Sequence, residues 1–103
     1  MSFFQKLFGT APTQDLSKLI EEGAMLVDVR SAGEFAEGSV PGAVNIPVDA
    51  IASNINRFKN KNHIIVFCRS GNRSGMAKTI LQQKGITAVT NGGTWKDVLS
   101  FVK

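Results

Sequence analysis

The run His63-Ile64-Ile65-Val66-Phe67 constrains this chain more than any other stretch. Its apolar residues do not alternate with polar ones, as they would in a strand with one wet face. A short continuous run bounded by polar residues reads as a strand buried on both sides. Covering both sides takes helices, so the run implies an α/β domain with a mainly parallel sheet. The remaining segments supply the parts. Ala24-Met25-Leu26-Val27 is a second apolar run, Val44 to Ile46 a brief third one stopped by Pro47, and Ile86 to Val89 a short last one. Thr13 or Asp15 can cap a helix reaching about Glu22, with Leu16, Leu19 and Ile20 on its inner face and Gly23 ending it. Ser31 caps a short turn carrying Glu34 and Phe35. Residues 48–58 read as helical, weakened by Ser53, Asn54 and Asn56. Ser74 to about Lys84 has the helical pattern Met76, Ala77, Ile80, Leu81, closed by Gly85. Gly92-Gly93 is expected to turn the chain into a final helix with Trp95, Val98, Leu99 and Val102.

At 103 residues there is room for one domain, divided as an N-terminal segment, 1–12, and the domain proper, 13–103. One cysteine rules out an internal disulfide and a zinc site built on paired cysteines, and one histidine rules out a His-rich centre. Neither a metal nor a cofactor is expected. The net charge of +4 favours anionic ligands. With seven Phe, no Tyr and no base-stacking or groove-reading motif, nucleic acid is not an expected partner. The opening Met1-Ser2-Phe3-Phe4-Gln5-Lys6-Leu7-Phe8-Gly9 places Phe3, Phe4, Leu7 and Phe8 on one helical face, expected to pack on the domain. It is too short for a secretory core or a membrane span, so a cytoplasmic setting without membrane contact is expected.

Sites in parallel α/β folds form where strands end and helices begin. Cys68 stands at that point after the strongest strand, heading Cys68-Arg69-Ser70-Gly71-Asn72-Arg73. A lone cysteine is commonly inert packing, but this context favours the thiolate, which is the nucleophilic form. The following helix turns its N-terminal amides and positive dipole end toward the loop. Gly71 permits left-handed angles that fold successive N–H groups into an anion-binding nest. Arg69 and Arg73 add positive charge, Ser70 and Ser74 can donate hydrogen bonds, and Ser74 is placed to cap the helix. His63 lies five positions back and is expected at the far end of the strand, so no Cys–His pair is evident. Four residues separate Cys68 from Arg73. Protein tyrosine phosphatases have five in their Cys-x5-Arg loop, whose Arg clamps phosphate bidentately. The shorter ring suits a sulfur atom better than a phosphoryl group.

Three motifs in order carry a family resemblance. The loop Cys68 to Gly75 resembles the active-site loop of the rhodaneses. Asp28-Val29-Arg30 with Glu34-Phe35 is similar to that family's D-x-R…E-F segment. Gly38-Ser39-Val40-Pro41-Gly42-Ala43-Val44-Asn45-Ile46-Pro47 is similar to its G-H-I-P-G-A-x-N-I-P stretch, with Ser39 where His is common. Ser74-Gly75-x-Ala77-Lys78 and Asn91-Gly92-Gly93 with Lys96-Asp97 resemble the short, phage shock protein E-like members.

The resemblance implies a five-stranded, mainly parallel sheet with helices on both faces. It implies a thiosulfate sulfurtransferase in which Cys68 carries the persulfide and the amides of Arg69, Ser70, Gly71, Asn72 and Arg73 hold the anion. Ser74, Asp28 and Arg30 would support the site. Asp28 and Arg30 can either touch substrate or form a charge pair, with neighbours such as Glu34, that braces the loop. The Ser39 departure is expected to affect only local hydrogen bonding. Expected partners are a small anionic sulfur donor and a thiol or cyanide acceptor, with a protein donor or acceptor also open. A module relaying persulfide sulfur between proteins is the alternative, and an arsenate reductase or phosphatase a weaker one. Trp95 and the Phe residues are expected in the core, and Lys78 and Lys84 in solvent.

Overall fold

The computed structural model describes residues 16–102. The caps expected at Thr13 or Asp15 and the apolar face of the opening segment lie outside them. The chain runs α1 (Leu16–Glu21), β1 (Met25–Asp28), α2 (Ala32–Ala36), β2 (Val44–Asn45), 3₁₀ segments Val48–Ala50 and Ala52–Phe58, β3 (Ile64–Cys68), α3 (Asn72–Gln83), β4 (Val89–Thr94) and α4 (Trp95–Leu99). The strands form one parallel sheet in the order β2-β1-β3-β4. Among the described residues the sheet has four strands, not the five implied by resemblance.

All five residues of β3 are buried, and the strand separates two apolar layers. Side chains alternate across a strand. Ile64, Val66 and Cys68 therefore face one layer, with Ala77 and Leu81 of α3 and with Ile51 and Phe58 from the 3₁₀ region. Ile65 and Phe67 face the other, with Leu19 and Ile20 of α1 and Trp95 and Val98 at α4. Phe58 and Phe67 are core as expected, whereas Phe101 is exposed and Trp95 only partly buried. Lys84 is exposed and Lys78 half-buried.

Three local expectations change. The stretch after Pro47 forms two 3₁₀ pieces, and Asn54 sits outside helical angles at φ −122°, ψ 27°, its side-chain amide donating to the Ala50 carbonyl at 2.8 Å. That local bond offers the backbone an alternative to the helix. The expected helix start at Ser74 moves to Asn72, with Gly71 at the N-cap position and no side-chain cap. The last strand lies later than Ile86 to Val89, running from Val89 through Gly92-Gly93 to Thr94.

Gly92-Gly93 is thus strand rather than turn, and packing explains why. A Cβ on Gly92 would stand 2.7 Å from Val98 Cγ2 and 2.9 Å from Ile65 Cγ2. Only a residue without a side chain lets β4 lie this close to β3 and α4. The register against β3 shifts there, pairing Val66 with Asn91 but Phe67 with Gly93. This is a bulge that leaves Gly92 as the extra residue. The G92A variant is expected to lose roughly 1–3 kcal/mol of stability through overpacking, read as a lower urea midpoint at unchanged slope.

Candidate active site

Cys68 ends β3, its main chain paired with Thr94 of β4, and its residue surface is fully buried. Gly71 is at φ +96°, the left-handed conformation that glycine adopts without strain. This bend folds the loop back so that the Gly71 N–H donates to Cys68 Sγ at 3.0 Å. The Ser74 N–H, in the first turn of α3, donates to the same sulfur at 3.4 Å, and Ser74 Oγ also lies 3.4 Å from it. The sulfur therefore sits among backbone donors at the positive end of a helix, an arrangement suited to negative charge. Burial pushes the Cys68 thiol up. Hydrogen bonding from Ser74, Ser70 and Gly71 outweighs that effect and holds it below its ordinary value.

The site residues that the sequence places on the loop fall into three groups. Cys68, Gly71 and Ser74 come together as described. Arg69, Ser70 and Asn72 line the exposed rim of the loop. Arg73 is half-buried and committed to Glu34, donating from Nη1 to Oε1 at 2.7 Å and from Nη2 to Oε2 at 3.1 Å. Ser74 is buried inside α3 rather than capping it.

Asp28 and Arg30 pair chiefly with each other, not with Glu34. Arg30 donates to Asp28 Oδ1 from Nε at 3.0 Å and to Oδ2 from Nη2 at 2.7 Å, and its backbone N–H adds a bond to Oδ1 at 2.9 Å. Nη2 also reaches the Gly38 carbonyl at 2.6 Å, and the guanidinium lies 4.8 Å from the Trp95 ring centroid. The Ser39 hydroxyl donates to Asp28 Oδ2 at 2.7 Å. Both charges are buried, and the bonds to the Gly38 carbonyl and from Ser39 hold the end of β1 to the segment before β2.

Sequence reasoning placed Asn91 in a family-like motif but gave it no role at the site. Its Nδ2 donates to the Gly71 carbonyl at 3.1 Å, and its Oδ1 accepts from the Ser74 hydroxyl at 2.7 Å and the Gly93 N–H at 2.9 Å. The available signal was the Asn91-Gly92-Gly93 motif, which places a polar side chain within the strand beside β3. His63 precedes β3, with Nε2 2.7 Å from Thr90 Oγ1. Five strand residues put it roughly 16 Å from the sulfur, outside the reach of a general base.

A cleft of about 460 Å³ opens beside the loop, lined by Arg30, Glu34, Glu37, Arg69, Thr94, Trp95 and Lys96. It presents cations, carboxylates and an indole face next to the loop's exposed rim. Among the described residues no group of acidic, His and Cys side chains could hold a metal ion, and no helix is long and apolar enough to cross a membrane.

The Glu34–Arg73 pair joins α2 to α3 across the loop. Glu34 is also the third residue of a capping box with Ser31. Hydrogen bonds from Arg73 and from the Ser31 backbone bring its pKa from 4.5 to about 2. Its contribution to stability is therefore complete above pH 4.5 and is lost as pH falls toward 2. The E34Q variant is expected to be less stable at neutral pH and to show a flatter stability profile between pH 4.5 and 2, read by denaturant titration at each pH.

Comparison with known proteins gives one consistent answer. Residues 12–96 match the rhodanese-like domain. The thiosulfate sulfurtransferase PspE of Escherichia coli is 38% identical over 74 residues, covering 70% of this chain and 71% of that protein. A sulfurtransferase of Allochromatium vinosum is 34% identical over 70 residues, covering 68% of this chain and 65% of that protein. Among solved structures, a rhodanese with anions from E. coli superposes at a TM-score of 0.67 with 34% identity, covering 73% of this chain and 91% of that one. With this match over most of its length, the chain belongs to the rhodanese-like domain family.

Proposed function

We propose that this protein is a sulfurtransferase that takes sulfane sulfur from thiosulfate or a related anionic donor, carries it as a persulfide on Cys68, and gives it to a thiol or cyanide. The observation that carries this reading is the 3.0 Å hydrogen bond from the Gly71 N–H to Cys68 Sγ, which turns the loop's backbone toward the sulfur. It favours the thiolate relative to an ordinary cysteine without help from a base. Relatives named as sulfurtransferases, one of them a thiosulfate sulfurtransferase, favour the same chemistry.

In the first step the Cys68 thiolate attacks the sulfane sulfur. An Sγ–S bond forms, the S–S bond to the sulfonate sulfur breaks, and its electron pair leaves with sulfite. In the second step a thiolate or cyanide attacks the outer sulfur, and the pair of the Sγ–S bond returns to Cys68. The loop amides from Arg69 to Arg73 hold the donor's oxygens, and the cleft beside Arg69 admits the acceptor. The chain has one cysteine, so the acceptor is external.

Phosphatase or arsenate reductase chemistry fits less well. Arg73 gives its fork to Glu34 rather than leaving it free to clamp a tetrahedral anion.

Intact mass after incubation with thiosulfate is expected to show one added sulfur, absent in C68S, and cyanide is expected to discharge it as thiocyanate. A protein that gains no sulfur and makes no thiocyanate overturns the reading. One that loads but does not turn over with small acceptors is instead a relay between proteins.

A further inference from the structure

The hydrogen of the Ser74 hydroxyl has two possible acceptors, Cys68 Sγ at 3.4 Å and Asn91 Oδ1 at 2.7 Å. A hydroxyl has one hydrogen and can serve only one of them fully. Which it serves depends on how the Asn91 amide is turned, and two other bonds settle that. The amide NH₂ meets the Gly71 carbonyl, and the amide oxygen meets the Gly93 N–H. Reversing the amide would set oxygen against oxygen and N–H against N–H. The oxygen therefore faces Ser74, and two oxygens 2.7 Å apart require the hydroxyl hydrogen between them.

We propose that Asn91 is a positioning residue that holds the Ser74 hydroxyl hydrogen away from the Cys68 sulfur, leaving the thiolate to be stabilised by the backbone N–H groups. This rests on Cys68 being the reacting sulfur. In the resting thiol the S–H points at the lone pair of Ser74 Oγ, and the hydroxyl stays on Asn91. When the thiol ionises, nothing has to turn, because the Gly71 and Ser74 N–H groups are already aimed at the sulfur. The thiolate also keeps more of its basicity than it would with a hydroxyl committed to it. Thiolate nucleophilicity falls as pKa falls, so a full set of donors would yield more thiolate of a weaker kind.

The surrounding charges do not duplicate this control. Arg73 of α3 faces the sulfur but is tied to Glu34 of α2, and Asp28 of β1 is tied to Arg30. Arg69 lies on the exposed rim of the loop. The β4 residues Val89–Thr94 carry no charge, so Asn91 acts from that side as a neutral group.

The chain has one cysteine and no tyrosine, so ultraviolet thiolate absorbance against pH reports Cys68 without interference. Asn91→Ala is expected to free the hydroxyl for the thiolate and lower the Cys68 midpoint by about half a unit to one unit. Asn91→Asp is expected to raise it. Placed in a Ser74→Ala background, Asn91→Ala is expected to lower nothing. A residue that merely braced the loop would behave oppositely, because loosening the Gly71 carbonyl would weaken the N–H bond to sulfur and raise the midpoint. A raised or unchanged midpoint in folded Asn91→Ala overturns the proposal. Ser74→Ala alone gives a second measurement that leaves Asn91 intact. A rise below about half a unit supports the hydroxyl being held off, and a larger rise overturns it. Failure of sulfur transfer would instead appear as the absence of added mass from thiosulfate, which none of these titrations measures.

Discussion

The double pairing of β3 is the constraint on which the Cys68 end of the molecule depends. With β1 on one side and β4 on the other, its main chain cannot slide without breaking ladders on both edges. The strands are parallel, so their C-terminal ends emerge together and the segments leaving β1, β3 and β4 meet in one place. The registers set Asp28 beside Phe67 and Asn91 beside Val66, on either side of the strand that ends in Cys68, though long stretches of sequence separate them. A loop alone could not hold a sulfur within hydrogen-bond distance of three atoms from α3 and its approach.

Around this end the polar groups form two separate braces. Asp28, Arg30, Ser39 and Gly38 tie the exit of β1 to the approach to β2, and Glu34 with Arg73 ties α2 to α3. Buried ion pairs such as Asp28–Arg30 add little net stability, because desolvation offsets the attraction. Their worth lies in geometry, and no buried side-chain nitrogen or oxygen among the described residues is left without a partner. Both braces end on elements bordering the cleft beside Arg69, so its walls are fixed independently of the core.

Much of this was legible in the residues. The unbroken apolarity of residues 64–67 announced a doubly covered strand, and Gly71 announced a bend that only an αL residue makes cheaply. Ser31 with Glu34 announced a helix start. What could not be read was pairwise choice. Arg30 and Arg73 were both cations near carboxylates, and only the fold decides that Arg30 takes Asp28 while Arg73 takes Glu34. Gly92-Gly93 looked like a turn because local chemistry cannot reveal Val98 and Ile65 pressing on that backbone. The role of Asn91 was hidden for a related reason: its motif was visible, but its partners lie at least 17 positions away in the α3 region, apart from Gly93.

The burial of Cys68 has a consequence for the order in which molecules can visit it. The bare residue has no exposed surface, so its sulfur is screened from bulky reagents. In a persulfide, the terminal atom stands about 2 Å farther out along the new bond. On the proposed function, the empty form is therefore shielded and the loaded form carries its transferable atom nearer the donor's side of the loop. A large acceptor could tell the two apart by touch alone, engaging the protein when it has cargo to give.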